Sequence, residues 1–316
     1  MPNRVVVGNS PTFFHFKHDM EAAWECEDGD ILEVHCLDGF AGPIQREDDR
    51  LGAVDVDALN DCSGPIRVRG AEPGDVLAFR IDSISVDSDQ GCTLVLPDFG
   101  LQQHLVDTEA TRISTIKDGV LRILDRFEAP IRPMLGTIGV APAEGSWSTV
   151  FPHDHGGNMD TRDVVAGHTI YFPVFQPGAL LGMGDAKALM GDGELCSTGV
   201  EVPVTVVGQV RVIKGVSINR PIIETPTEWM TIGSAVDHLD ACRLANGDLI
   251  ELLQRAHDLS WTGAYVLTSI VSDLRISQVV DPLLTVRAAI SKRFLPDPFA
   301  TVAPRRDKQL RCLQPK

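Results

Sequence analysis

Gly, Pro and Asp interrupt the first two-thirds of this chain at short intervals, and apolar, β-rich stretches lie between them. That punctuation reads as short strands joined by turns. GDILEVHCLDGFAGPI (29–44) is one such unit and VPVTVVGQVRVI (202–213) another. In the second, Val204, Val206, Val210 and Val212 share one face, the period of a strand with one buried surface, and Gly208 between them predicts a bulge or a close backbone approach. Glu27-Asp28-Gly29-Asp30 and Glu72-Pro73-Gly74-Asp75 echo each other, each followed by an apolar strand. They read as turns in which Gly supplies a positive φ and Asp bonds nearby amides, not as a true repeat.

After Pro226 the spacing turns helical. Leu249, Leu252, Leu253 and Ala256 form one apolar stripe, and Ala264, Leu267, Val271 and Leu274 form another. Residues 273–291 then return to β-branched side chains. The expected fold is α+β and predominantly β: a β-rich region over 1–225 that carries the site, with an α+β module over 226–316 packed on it. The polar tail from Pro304 reads as loose.

A chain of 316 residues buries a core without staples. Its formal charge of -16 repels phosphate backbones and anionic lipid, and no run of Lys or Arg offsets it, so nucleic acid is not an expected partner. Seven scattered cysteines, odd in number and without a C-x-x-C pair, point to a reducing compartment. No signal peptide is read at the N-terminus, and the greasiest segment, 169–184, is broken by prolines and glycines short of the ~18 apolar residues of a membrane span. The cytoplasm is the expected location, with no membrane partner.

Phosphate-loop, dinucleotide-binding and G-x-S-x-G patterns are absent. The densest polar run is His153-Asp154-His155-Gly156-Gly157-Asn158-Met159-Asp160, whose imidazoles, carboxylates and amide are types that bind cations or move protons. A loop whose Asp and Asn only satisfy turns is the competing reading. A second cluster, GMGDAKALMGDGELCSTGVE (182–201), places Asp185, Asp192, Glu194 and Glu201 among glycines, although GDGE is also a common exposed turn.

These runs, PMLGTIGVAPAEG, HDHGGNMD, YFPVFQPGALLGMGDAKALMGDGE and CSTGVE, resemble the acetamidase/formamidase family in consecutive order. The likeness extends to His15-Phe16-Lys17-His18-Asp19, LEVHCLDGFAGPI, SGPIRVRGAEPGDVL and DLRISQVVDPLLTVRAAIS, covering about residues 12 to 295. It implies hydrolysis of small non-peptide amides such as formamide or acetamide, a divalent metal with zinc foremost, and a homo-oligomer. The polar residues that match are His15, Glu33, Asp38, Glu144, His155, Asn158, Asp160, Asp185, Asp192, Glu194 and Glu201. Lys187 and His18 depart from the pattern, which carries His at the first position and often Trp at the second. Lysine is a poor metal ligand because its ammonium has no lone pair.

On this resemblance a metal held by His155, Asp160 and Asp185 would activate water, with Glu144 or Glu194 as general base. Asn158 and the amides around Gly156 and Gly157 would hold the oxyanion. Calcium or magnesium remain open as alternatives to zinc, since the donors are rich in oxygen. Cys196 reads as structural. The aromatics Trp147, Phe151, Tyr171, Phe172 and Phe175 read as core before pocket. Two other functions stay open: opening of small cyclic amides, and a non-catalytic binding protein in which Lys187 marks lost chemistry.

Overall fold

The computed structural model describes residues 2–52 and 58–300; the tail from Pro304, with Cys312, lies outside the described residues. Among these, twenty-one strands accompany two α-helices, both near the C-terminal end, so the chain is α+β and predominantly β.

A nine-stranded sheet runs from Arg4–Val7 at one edge, through Ile31–Cys36, Val204–Ile213, Val76–Val86, Thr169–Pro173, Ile222–Glu224, Glu228–Ala235 and Leu284–Ser291, to Ser272–Gln278 at the other. A second sheet orders Gly156–Asn158, Met134–Gly139, Leu181–Lys187, Cys62–Val68 and Thr12–Phe13, with Trp24–Cys26 also paired to Cys62–Val68. Alternation along the Val76–Val86 strand explains the layering. Leu77, Phe79 and Ile81 enter the core shared with Ile66, Leu135, Leu181 and Met183 of the second sheet. Val76 and Ala78 point the other way, onto Leu249, Leu252 and Leu253.

Those leucines belong to helix α1, His238–His257. Asp237 caps it by accepting from the amides of Leu239 and Asp240, and Asp258 ends it in the left-handed region at φ 54°. Burying each leucine contributes roughly 1.5–3 kcal/mol. Helix α2, Trp261–Val271, stops before Leu274, which sits 56% exposed in the edge strand Ser272–Gln278. The helical stripe ends there because pairing with Leu284–Ser291 draws the chain into the sheet. The 225/226 boundary falls in the turn between Ile222–Glu224 and Glu228–Ala235, which pair with each other. The C-terminal segment thus continues the main sheet.

Two local expectations match the structure. Register shifts between Val207 and Gly208, where a side chain would strike the Arg80 carbonyl and the Phe79 ring. Gly29 and Gly74 adopt φ 93° and 94°, and the carboxylates of Asp30 and Asp75 accept from the amides of Glu27 and Glu72, at 2.9 and 2.8 Å.

Candidate active site

A cavity of about 60 Å³ opens beside the second sheet. Phe40, Leu59, Leu96, Phe99, Val150 and Val280 form apolar walls; Asn60, Asn158, Asp160, Asp185, Lys187, Glu194, Glu201 and Asp281 supply the polar groups.

Strand geometry assembles the floor. Asp185 and Lys187 are two apart on Leu181–Lys187, so their side chains share a face. Gly136 stands beside them on the adjacent strand, and a methyl group there would collide with the carboxylates of Asp185 and Asp160 and with Lys187 Nζ. Gly199 makes similar room, since a Cβ would lie 2.9 Å from Lys187 Cδ. Asp160, Asp185 and Glu194 hold φ of 39°, 51° and 48°, left-handed conformations that cost roughly 1–3 kcal/mol each and gather where function requires them.

Glu194 arrives through the preceding glycine. Gly193 donates to the Ser277 carbonyl at 2.8 Å and accepts from the Val279 amide at 3.2 Å, which docks the loop on the C-terminal strands. The same docking brings Asp281 to the cavity from the connection between Ser272–Gln278 and Leu284–Ser291.

Lys187 is 2% exposed. Its ammonium donates to Asp160 and, at 2.8 Å, to Asp185, and lies 3.2 Å from Glu194 and 3.8 Å from Glu201. Burial opposes its charge, but the four carboxylates outweigh burial and hold it protonated, well above the usual lysine range. Burial lifts Glu194 and Glu201 well above the usual carboxylate range. Asp281 rises likewise, through burial and the charges of Asp160 and Glu194. Asp160 and Asp185 are the two carboxylates hydrogen-bonded to Lys187, and Glu201 and Asp281 line the same cavity beside them.

Asn158, Asp160, Asp185 and Glu194, all candidates from the sequence, converge here. Asn158 is held on two sides: its carbonyl accepts from Thr137 Oγ1 at 2.6 Å and its amide donates to Asp281 at 3.0 Å. Glu144 is not brought to the cavity. It is exposed on the turn at Gly145 (φ 76°), which the Gln176 amide fastens through Pro142 and Ala143. His155 is wholly buried outside the cavity lining, packed against Phe16 and His153 with ring centroids 5.0 and 6.0 Å apart. Among the described residues neither of its nitrogens has a polar partner, and burial, with His153 nearby, pushes its pKa down to about 3. Gly156 donates its amide to the His153 carbonyl, and neither it nor Gly157 lines the cavity.

Asp192 faces away from the cage, accepting both hydrogen bonds from Arg287 at 2.9 and 3.0 Å. Tyr171 and Phe172 are buried in the cores, and the aromatics at the cavity are Phe40 and Phe99. Sequence reasoning missed these two, along with Asn60 and Asp281. Asp281 precedes Pro282, and an Asp before Pro reads as a turn residue.

The resemblance implies a divalent metal, and the donor set as folded does not fit one. The oxygens that surround a common point, from Asp160, Asp185, Glu194 and Glu201, surround the Lys187 ammonium, which has no lone pair to offer. A second cation there would meet that charge at hydrogen-bond distance. Among the described residues, no group of three or more His, Cys, Asp or Glu side chains is arranged to hold a metal ion.

The sequence profile of the acetamidase/formamidase family matches residues 5–148 and 143–293. A formamidase from Methylophilus methylotrophus is 29% identical over 229 residues, 54% of this chain; the match spans 56% of that protein's length. A predicted acetamidase/formamidase from Thermoanaerobacter tengcongensis superposes with a TM-score of 0.89 at 38% identity, covering 93% of this chain and 97% of the other. An acetamidase from Bacillus halodurans superposes at 0.88 with 33% identity, covering 92% and 98%.

Proposed function

We propose, from the premise that the chain belongs to the acetamidase/formamidase family, that it hydrolyses small non-peptide amides to carboxylate and ammonia. The observation that carries this reading is the cage itself: a buried ammonium and the carboxyls around it, facing a cavity with apolar walls. At ~10–15 Å³ per water on the same measure, about 60 Å³ accommodates a solute of a few heavy atoms, the size of formamide or acetamide and far short of a peptide.

In this proposal Glu194 handles the proton. In its ionised form its carboxylate takes a proton from the attacking water as the C–O bond forms, then returns it to the amide nitrogen as the C–N bond breaks, and burial, which raises its proton affinity, makes it a stronger base. The Lys187 charge offsets the negative charge that develops on the carbonyl oxygen, and Asn158, clamped by Thr137 and Asp281, presents its remaining N–H to the substrate.

Ammonia release from formamide, acetamide and propionamide, with ring opening of a small cyclic amide in parallel, tests the reading. Turnover of any one supports hydrolysis and names the acyl class. Tight binding of amides without product on the whole panel would replace it with the non-catalytic reading.

A further inference from the structure

We propose that Lys187 is the resident cation of the carboxylate cage, doing by a tethered ammonium what a bound divalent ion would otherwise do, so that the folded protein carries no metal at this point. The inference deepens the reading of the same pocket and rests on the amidase proposal only for its catalytic consequence.

Position is the first support. Nζ lies at the focus of Asp160, Asp185, Glu194 and Glu201, which reach it from one strand and two separate connections, as ligands reach a metal. Two of its N–H donors meet Asp160 and Asp185, and Glu194 stands 3.2 Å away, so the ammonium is satisfied from within the cage.

Room is the second. Gly136 lacks the side chain that would press on the ammonium and its two aspartate partners, and Gly199 the one that would press on the lysine's methylene stem. Isolation is the third. Lys187 and the four carboxylates are each at most 4% exposed, so little solvent reaches the charges, and removing the cation would leave the carboxylates repelling one another in a poorly screened site.

A tethered ammonium also differs chemically from a metal. It can donate hydrogen bonds and neutralise charge but cannot coordinate a substrate oxygen or water through an empty orbital, and a chelator cannot remove it.

Metal content tests this without turnover. Wild-type protein is soaked in zinc, calcium or magnesium, desalted and assayed by elemental analysis, with melting followed in the presence and absence of EDTA. The expected result is metal far below one equivalent per chain, and the same Tm with or without chelator. Lys187→Ala, which vacates the focus, should take up about one equivalent of zinc or calcium and show a Tm that EDTA lowers.

Stoichiometric metal in the wild type, with a Tm that falls on chelation, would overturn the proposal, as would a folded Lys187→Ala protein that takes up no cation. If that variant does not fold, the wild-type metal content decides alone. Ammonia release by the wild type, measured on the same samples, separates failure of this inference from failure of the amidase reading.

Discussion

Lys187 Nζ donates to Asp185 Oδ2 at 2.8 Å from two residues along the same strand, and the pair is closed over Gly136 on the neighbouring strand. The two-residue spacing puts both side chains on one face, with Asp185 itself turned toward the cavity by a left-handed backbone at φ 51°. What turns that adjacency into a cage is the absence of a side chain at Gly136, together with Asp160, whose amide bonds the Gly136 carbonyl at 3.2 Å.

Gly136→Ala should therefore act at two levels. The added methyl forces apart Asp160, Asp185 and Lys187, with an overpacking cost of about 1–3 kcal/mol and a loss of turnover larger than the Tm change would suggest. Thermal melts and kcat on the best amide substrate check this; unchanged kcat would show that the cage geometry does not matter to turnover.

Asp192 and Glu194 are neighbours in GDGE with separate work. Asp192 holds buried Arg287, which Asp163 also contacts at 3.2 Å, so Asp192→Asn should lower stability by about 1–3 kcal/mol while leaving kcat close to wild type. Denaturant unfolding and steady-state kinetics on the one variant separate the two effects.

His155 makes stability depend on pH. Its folded pKa of about 3 lies below the ordinary histidine value of 6.5, so the unfolded chain binds the extra proton between those values. The stability of neutral burial is fully present above pH 6.5 and declines by about 1.4 kcal/mol per pH unit as pH falls toward 3. His155→Phe removes this contribution. Carboxyls with raised values work in the opposite direction, but they are common to both proteins, so the difference in Tm between wild type and variant should change with pH below 6.5 and be flat above it.

Much of the fold was legible because its signals are local. The alternating valines of 204–212 and the Leu249, Leu252, Leu253 stripe state their own periods, and the two acidic-Gly-Asp turns close through bonds within four residues. The site was legible only in part. Asp160, Asp185, Asn158 and Glu194 stand in runs dense enough to notice, but whether His155 points to the cavity or to Phe16 depends on packing across sheets. Asp281 is beyond local reading for the same reason: it reaches the cavity through the docking of Gly193 on residues 277–279.

Cys196 is close to Glu194 in sequence, yet burial raises its thiol above the usual range and its Sγ contacts the Thr198 carbonyl at 3.6 Å. Cys196→Ser should retain turnover within a few-fold of wild type. Loss of several orders of magnitude in kcat, with fold and Tm intact, would point instead to a thiol mechanism.

The most direct test of the account is ammonia release from formamide, acetamide and propionamide by the wild type and by Glu194→Gln, with Tm measured on both. Turnover of at least one amide by the wild type and a fall of about 10²–10⁴-fold in kcat for the folded variant is the predicted result. Equal ammonia release by the two proteins would contradict it, because the carboxyl beside Lys187 would then not be moving the proton.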